Sequence, residues 1–369
     1  MTAEPRACCW PRDSLSLIIT TSPTPSAPST ELISEVIRSF HEYCPELLSC
    51  AVVVVFDVFD HVTERARLKK GRVTVAGAAS YAAYKENIKN LIKDEYLGTN
   101  RERSWVETQG EAEYGLTMRT YGAVPLSIST TDNKKVTFIE PSQRLGFGLA
   151  VRSALRLVET PYVWVQQHDW VLASTIPVQA LVSVMADSVS DPVAPVHYVA
   201  FPAGRMLSYA KSANVQDFPG LRTLTASLKR TFTPHPRQPR AGPEERSPGD
   251  EIETGAAGVP LTPLFLWHDK PHVAATSHYL SRVFPTPIAI QRGAFIEDSL
   301  GQRAREQMKR GEWHRWATWL YYPDDGTRLC LRHLQGRTWR GKDVEREAGR
   351  AWRERNAAAV TTAGGHDDY

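Results

Sequence analysis

Residues Gln143–Leu172 read Q-R-L-G-F-G-L-A-V-R-S-A-L-R-L-V-E-T-P-Y-V-W-V-Q-Q-H-D-W-V-L. A short loop, Arg144-Leu145-Gly146-Phe147-Gly148, opens an amphipathic helix, and Pro161 closes the helical region. The apolar run Tyr162–Val165 that follows reads as a strand, and it ends in Gln166-Gln167-His168-Asp169. Polar groups at the carboxyl end of a buried strand are where α/β folds place ligand chemistry. A strand that carries His and Asp to a sheet edge serves function better than stability.

The same rhythm recurs upstream. Leu15–Thr21 (L-S-L-I-I-T-T) is a β-branched, apolar first strand. Ser29-Thr30-Glu31 starts a helix over Glu31–Cys44, with Leu32, Val36, Ile37 and Phe40 on one face. Ala51–Phe56 (A-V-V-V-V-F) is a continuous apolar run of the kind buried in parallel sheets, and it ends at Asp57-Val58-Phe59-Asp60. Tyr81–Leu97 reads as a helix and Lys135–Glu140 as a third strand. Strand and helix alternating at this spacing predict an α/β chain with a mostly parallel central sheet and right-handed crossovers. Asp57/Asp60, Glu140 and Gln167/His168/Asp169 then converge on one crevice.

The predicted organisation is a disordered leader (1–13), a single domain (14–340) and a polar tail (341–369) that is disordered or loosely helical. Residues 225–258 are rich in Pro, Gly and charge and poor in large apolar side chains, which predicts a flexible insertion within that domain.

The 369 residues carry ten Trp and a 42% hydrophobic fraction, enough for a sizeable core. A formal net charge of +3 does not mark a nucleic-acid partner. The cysteines are Cys8, Cys9, Cys44, Cys50 and Cys330, an odd count with no C-x-x-C, so reduced thiols are expected, with a Cys44–Cys50 pair as the minor alternative. Leu15–Thr20 is too short for a signal core or a membrane span. A soluble, cytoplasmic protein is the expectation, or a piece that has lost its anchor.

These elements resemble glycosyltransferases of the GT-A fold, a Rossmann-like architecture, nearest in style to family 2. The residues that carry the resemblance are the first strand, Phe56-Asp57, the R-L-G-F-G-L-A-V-R-S-A-L helix opening, Q-Q-H-D-W, and Gly293-Ala294-Phe295-Ile296-Glu297-Asp298 with S-L-G after it. The resemblance implies transfer of a sugar from a nucleoside diphosphate sugar to a hydroxyl acceptor. In that family the strand end reads Asp-x-Asp and holds a divalent metal, Mn²⁺ or Mg²⁺. Here the triplet is Gln167-His168-Asp169, with Gln in place of the first acid. The implied metal ligands are Asp169, His168 and His333. Asp57, Asp60, Arg144, Gln167 and Arg337, with Arg340 behind it, are implied on the donor side. Asp298 is the implied general base of an inverting reaction, with Glu297 beside it. Trp267, His268 and Asp269 are implied on the acceptor side, Trp267 as a stacking platform.

Other readings remain open on the residues alone. Trp267-His268-Asp269-Lys270-Pro271-His272 can be a surface turn before a helix over Thr276–Val283, and His268, Asp269 and His272 a second metal site. Trp313, Trp316 and Trp319 recur every three residues, more often a core stripe than a sugar platform. Arg303, Arg305, Lys309 and Arg310 read as a solvated helix face. A non-catalytic nucleotide- or sugar-binding relative is one alternative function, motivated by Gln167. A sugar nucleotidyltransferase is another, opposed by Ser22–Pro28, which lacks the Gly and basic residues such enzymes carry after the first strand.

Overall fold

The structure is a computed structural model that describes residues 13–98, 103–117, 119–234, 258–347 and 350–351. Its strands, in chain order, are β1 (Leu15–Thr21), β2 (Ala51–Phe56), β3 (His61–Val62), β4 (Arg72–Val73), β5 (Trp105–Gly115), β6 (Tyr121–Thr131), β7 (Val136–Pro141) and β8 (Tyr162–Gln167). They continue as β9 (Trp170–Leu172), β10 (Tyr198–Ala200), β11 (Arg230–Phe232), β12 (Val259–Pro263), β13 (His272–Ala275), β14 (Thr318–Tyr321) and β15 (Leu331–His333). Among the described residues, eleven strands join in one sheet, in the order β11-β12-β14-β10-β13-β8-β1-β2-β7-β6-β5. The pairings set β6, β12 and β13 against the other eight, which all point the same way.

The centre is the parallel block expected from the apolar runs. β1 pairs with β2 (Leu17 opposite Val52) and with β8 (Leu17 opposite Trp164), and β2 pairs with β7 (Val54 opposite Phe138). All seven residues of β1 are buried, as a strand covered on both faces requires. Helix α1 (Glu31–Tyr43) buries Leu32, Val36, Ile37 and Phe40, close to its expected span. After the short α2 (Glu46–Ser49), α3 runs Val75–Leu97 and starts six residues earlier than expected. Its N-cap is Thr74, whose side chain accepts from the Gly77 amide at 3.0 Å. Helix α4 (Phe147–Leu155) is buried along its whole length and packs on β1 and β2.

Three expectations need correction. No strand was read between α3 and β7, yet β5 and β6 form a hairpin in unbroken register from Trp105–Thr131 to Gly115–Tyr121. The insertion begins later than residue 225: Pro219–Leu228 is a helix, and Arg230–Phe232 is β11, which pairs with β12. Residues 235–257 lie outside the described residues, as do Cys8, Cys9 and the leader up to residue 12. Cys44 and Cys50 are buried and form no disulfide with each other. Trp313, Trp316 and Trp319 are core residues but share no helix, because Trp313 sits on a 3₁₀ turn and Trp319 in β14. At the start of the tail, the Lys342 amide donates to Glu31 Oε2 at 2.9 Å, which ties residue 342 to α1.

Candidate functional site

β1, β2 and β8 end side by side, so Thr20-Thr21, Asp57 and Gln167-His168-Asp169 come together at one edge. The turn after β8 is built by Gln166, which is fully buried. Its carbonyl oxygen Oε1 accepts from Trp164 Nε1 (3.0 Å), and its Nε2 donates to the Gln167 (3.0 Å) and Trp170 (2.6 Å) carbonyls. A buried amide with all these bonds satisfied fixes the loop. Gln167 Nε2 donates to the Asp269 carbonyl at 2.7 Å, so its side chain ties two loops together.

Asp169 is clamped from the far end of the chain. Its Oδ2 accepts from His333 Nε2 and from the Gly336 amide, each at 3.1 Å. β15 pairs with β9, which sets His333 opposite Trp170, and the two rings stack at 4.5 Å. Burial works to raise the Asp169 carboxyl, but His168, His333 and the Gly336 amide together outweigh it and hold the group down to about 2. Burial lowers His168. Asp169 Oδ1 is buried and takes no hydrogen bond among the described residues. Gly336 went unremarked in the sequence; a Cβ there would lie 2.8 Å from both His168 Nε2 and Asp169 Cβ. Thus Asp169, His168 and His333 do meet. Still, no group of three His, Cys, Asp or Glu that could hold a metal ion forms among the described residues.

Asp57 is placed at this edge but is engaged. Its Oδ1 accepts from the Leu145 (2.6 Å) and Val58 (3.0 Å) amides, and its Oδ2 from the Gly146 amide (3.0 Å). Burial pushes the Asp57 carboxyl up to about 6 in spite of those donors. Asp57 therefore fastens the start of α4 to the end of β2. Asp60 is held by Arg292 and lies 3.7 Å from Arg144, in a local ion-pair network, and of the two expected donor residues only Arg144 lines a cavity at this edge. Glu140 is outside the site, paired with Lys85 and Lys89.

Two cavities open here. A narrow slot of about 90 Å³ lies over the strand ends and is lined by Thr21, Asp57, Lys69, Arg72, Arg144 and Asp169 among others. A wider cavity of about 340 Å³ is lined by Asp169, Asp269, Lys270, Glu297, Asp298 and His333 among others. Lys69, Gln167, Asp169, Phe295 and Arg337 face both. The His168-Asp169 turn and Glu297-Asp298 therefore border one space.

Glu297 and Asp269 hold each other. The Glu297 amide donates to both Asp269 carboxylate oxygens (3.2 Å each), and the Asp269 amide donates to Glu297 Oε2 (3.3 Å). Burial drives Asp269 well above the usual carboxylate range. Burial also opposes ionised Glu297, but His268, whose Nδ1 is 3.2 Å away, and the Asp269 amide outweigh it and bring Glu297 down to about 2. Asp298, the next residue, is exposed to the cavity and makes no hydrogen bond or ion pair among the described residues. The π-turn Glu297–Gly301 packs so closely on the preceding loop that a Cβ on Gly301 would meet the Trp267 carbonyl at 2.6 Å.

On the expected acceptor side, only Asp269 lines the cavity. Trp267 is fully buried against Tyr198 (4.4 Å) and Tyr279 (4.8 Å), so it is core and not a stacking platform. His268 is buried behind Glu297, and His272 Nδ1 faces the Lys270 carbonyl (2.7 Å), so these rings make no second metal site with Asp269. Arg337 lines both cavities, its guanidinium 5.4 Å from the Phe295 ring. Arg340 lines neither cavity. Lys69 and Arg72 were missed, although Arg65–Arg72 carries five cations in eight residues.

No helix among the described residues is long and apolar enough to cross a membrane. No family model matches the chain, and no curated protein matches it. Among solved structures, the mannosyltransferase PcManGT from Pyrobaculum calidifontis in complex with GDP-Man and Mn²⁺ is similar with a TM-score of 0.35 and 12% identity, over 85% of this chain and 58% of that one. The chain thus spans little more than half the length of that enzyme.

Proposed function

We propose that the protein is a glycosyltransferase of GT-A type that moves a sugar from a nucleoside diphosphate sugar to a hydroxyl acceptor. One observation carries this reading: Asp169, at the end of a central strand, and Asp298, from a segment far along the chain, border the same cavity. That cavity is within the range that takes small ligands.

In this reading the nucleoside lies over the ends of β1 and β2, the diphosphate reaches the shared wall, and the sugar points into the wider cavity. Asp298 accepts the proton of the acceptor hydroxyl as that oxygen bonds to the anomeric carbon. The bond from the anomeric carbon to the diphosphate oxygen breaks, and its electron pair leaves with the diphosphate. Attack opposite the leaving group inverts the anomeric centre. Glu297, pinned to the Asp269 amide and beside His268, aims its neighbour instead of acting on substrate.

The test is Asp298→Asn against a panel of UDP- and GDP-sugars, with turnover followed by nucleotide release and donor binding by calorimetry. Loss of a general base lowers turnover by about 10²–10⁴-fold, and donor affinity stays near that of the unaltered protein. Turnover equal to that of the unaltered protein removes Asp298 from the mechanism. Donor binding with no release in either protein favours a non-catalytic binding protein, the reading that Gln167 motivates.

A further inference from the structure

The nucleotide-sugar reading, on which this inference rests, implies Mn²⁺ or Mg²⁺ under the diphosphate, and the residues present do not fit one. Such cations prefer oxygen ligands, and beside substrate phosphates and waters they are usually held by one or two carboxylates of the protein. Asp57 and Asp169 bring four carboxylate oxygens to the slot. Three are already loaded: both oxygens of Asp57 by the Leu145, Val58 and Gly146 amides, and Asp169 Oδ2 by His333 and Gly336. Of these oxygens Asp169 Oδ1 remains, His333 Nε2 is turned onto Oδ2, and no group of three His, Cys, Asp or Glu that could hold a metal ion forms among the described residues. Gln167 stands where the resembled enzymes carry the first acid and brings only a neutral amide, whose Nε2 donates to the Asp269 carbonyl.

What the slot gathers instead is positive charge. Lys69, Arg72, Arg144 and Arg337 all line it. Lys69 and Arg337 also line the wider cavity, so they stand at the wall where a diphosphate would join nucleoside to sugar. Neither makes an ion pair among the described residues, whereas Arg144 is shared with Asp60. A guanidinium meets phosphate oxygens in a two-pronged fork, and an ammonium does so as a compact charge. Both meet the charge that develops on a departing diphosphate.

We propose that the protein holds its donor's diphosphate with Lys69 and Arg337, supported by Arg72 and Arg144, and binds nucleotide without a divalent cation. Calorimetry of UDP and GDP with the full chain, first in EDTA and then with added Mn²⁺ or Mg²⁺, tests it. Expected is binding in EDTA that added cation leaves unchanged and that weakens as salt is raised. Lys69→Gln and Arg337→Gln each weaken it by about tenfold, the effect of losing one charge-assisted contact. Lys69 is exposed, so its variant folds regardless, and circular dichroism checks the Arg337 variant. Binding seen only with Mn²⁺ or Mg²⁺, or binding in EDTA that both variants leave intact, overturns the proposal while the glycosyltransferase reading stands. No binding of either nucleotide under any condition removes both.

Discussion

Asp169 keeps its charge where burial opposes it, through its neighbour His168 and through His333 and Gly336, which come from about 165 positions downstream. Its folded-state pKa of about 2 lies below the ordinary value of 3.8. The sign follows: the stabilisation is fully present above pH 3.8 and is lost as pH falls toward 2. The difference is worth about 2 kcal/mol. Asp169→Asn is expected to lower unfolding free energy by about that amount at pH 6, with the gap narrowing below pH 4. Urea unfolding of both proteins across that range measures it, and a gap independent of pH would show that the clamp recognises shape and not charge. The sequence displayed Asp169 because an acid ending an apolar strand is conspicuous. Gly336 was invisible, since a need for no side chain appears only when another segment occupies that space.

At the scale of elements, the start of α4 is held by a contact between two glycines. Gly146 has φ +78° and Gly293 has φ +81°, and a Cβ on Gly146 would come within 2.5 Å of Gly293 Cα. Gly146→Ala therefore adds backbone strain, about 1–3 kcal/mol at this positive φ with extended ψ, to an overpacking cost of about 1–3 kcal/mol. The expected result is a loss of at least about 2 kcal/mol in urea unfolding, together with weaker nucleotide binding. An unchanged midpoint would mean that the Gly293 loop yields freely. Both glycines stand in motifs the sequence made plain, R-L-G-F-G and G-A-F-I-E-D, yet their contact did not show, because no local pattern links residues so far apart. The β5–β6 hairpin was hidden for a different reason. Much of β5 is exposed at the sheet edge, so W-V-E-T-Q-G-E-A-E-Y-G carries little apolar alternation.

For the molecule as a whole, the long polar stretch after β11 is bracketed by a closed pair of strands. Phe232 lies opposite Val259, so the chain leaves and returns at neighbouring positions. Replacing residues 235–257 with a short Gly/Ser turn is therefore expected to leave the thermal midpoint and nucleotide affinity unchanged. A large loss of either would mean that this stretch contributes to the fold or the site. The central block β7-β2-β1-β8 was legible because strands buried on both faces are continuously apolar. In the far half, H-Y-V-A-F over His197–Phe201 reads as a strand and is β10, but its parallel pairing with β14 across more than a hundred intervening residues, and the insertion of β13 against the prevailing direction, were not legible.

Five side chains, those of Lys69, Gln167, Asp169, Phe295 and Arg337, form a partition with a face in each chamber. Two occupants that lean on the same partition are not independent. Whatever the first does to the standing of those side chains, the second inherits, and reciprocity requires that each alter the other's dissociation constant by an equal factor. A change to any one of those five side chains is therefore felt in both chambers.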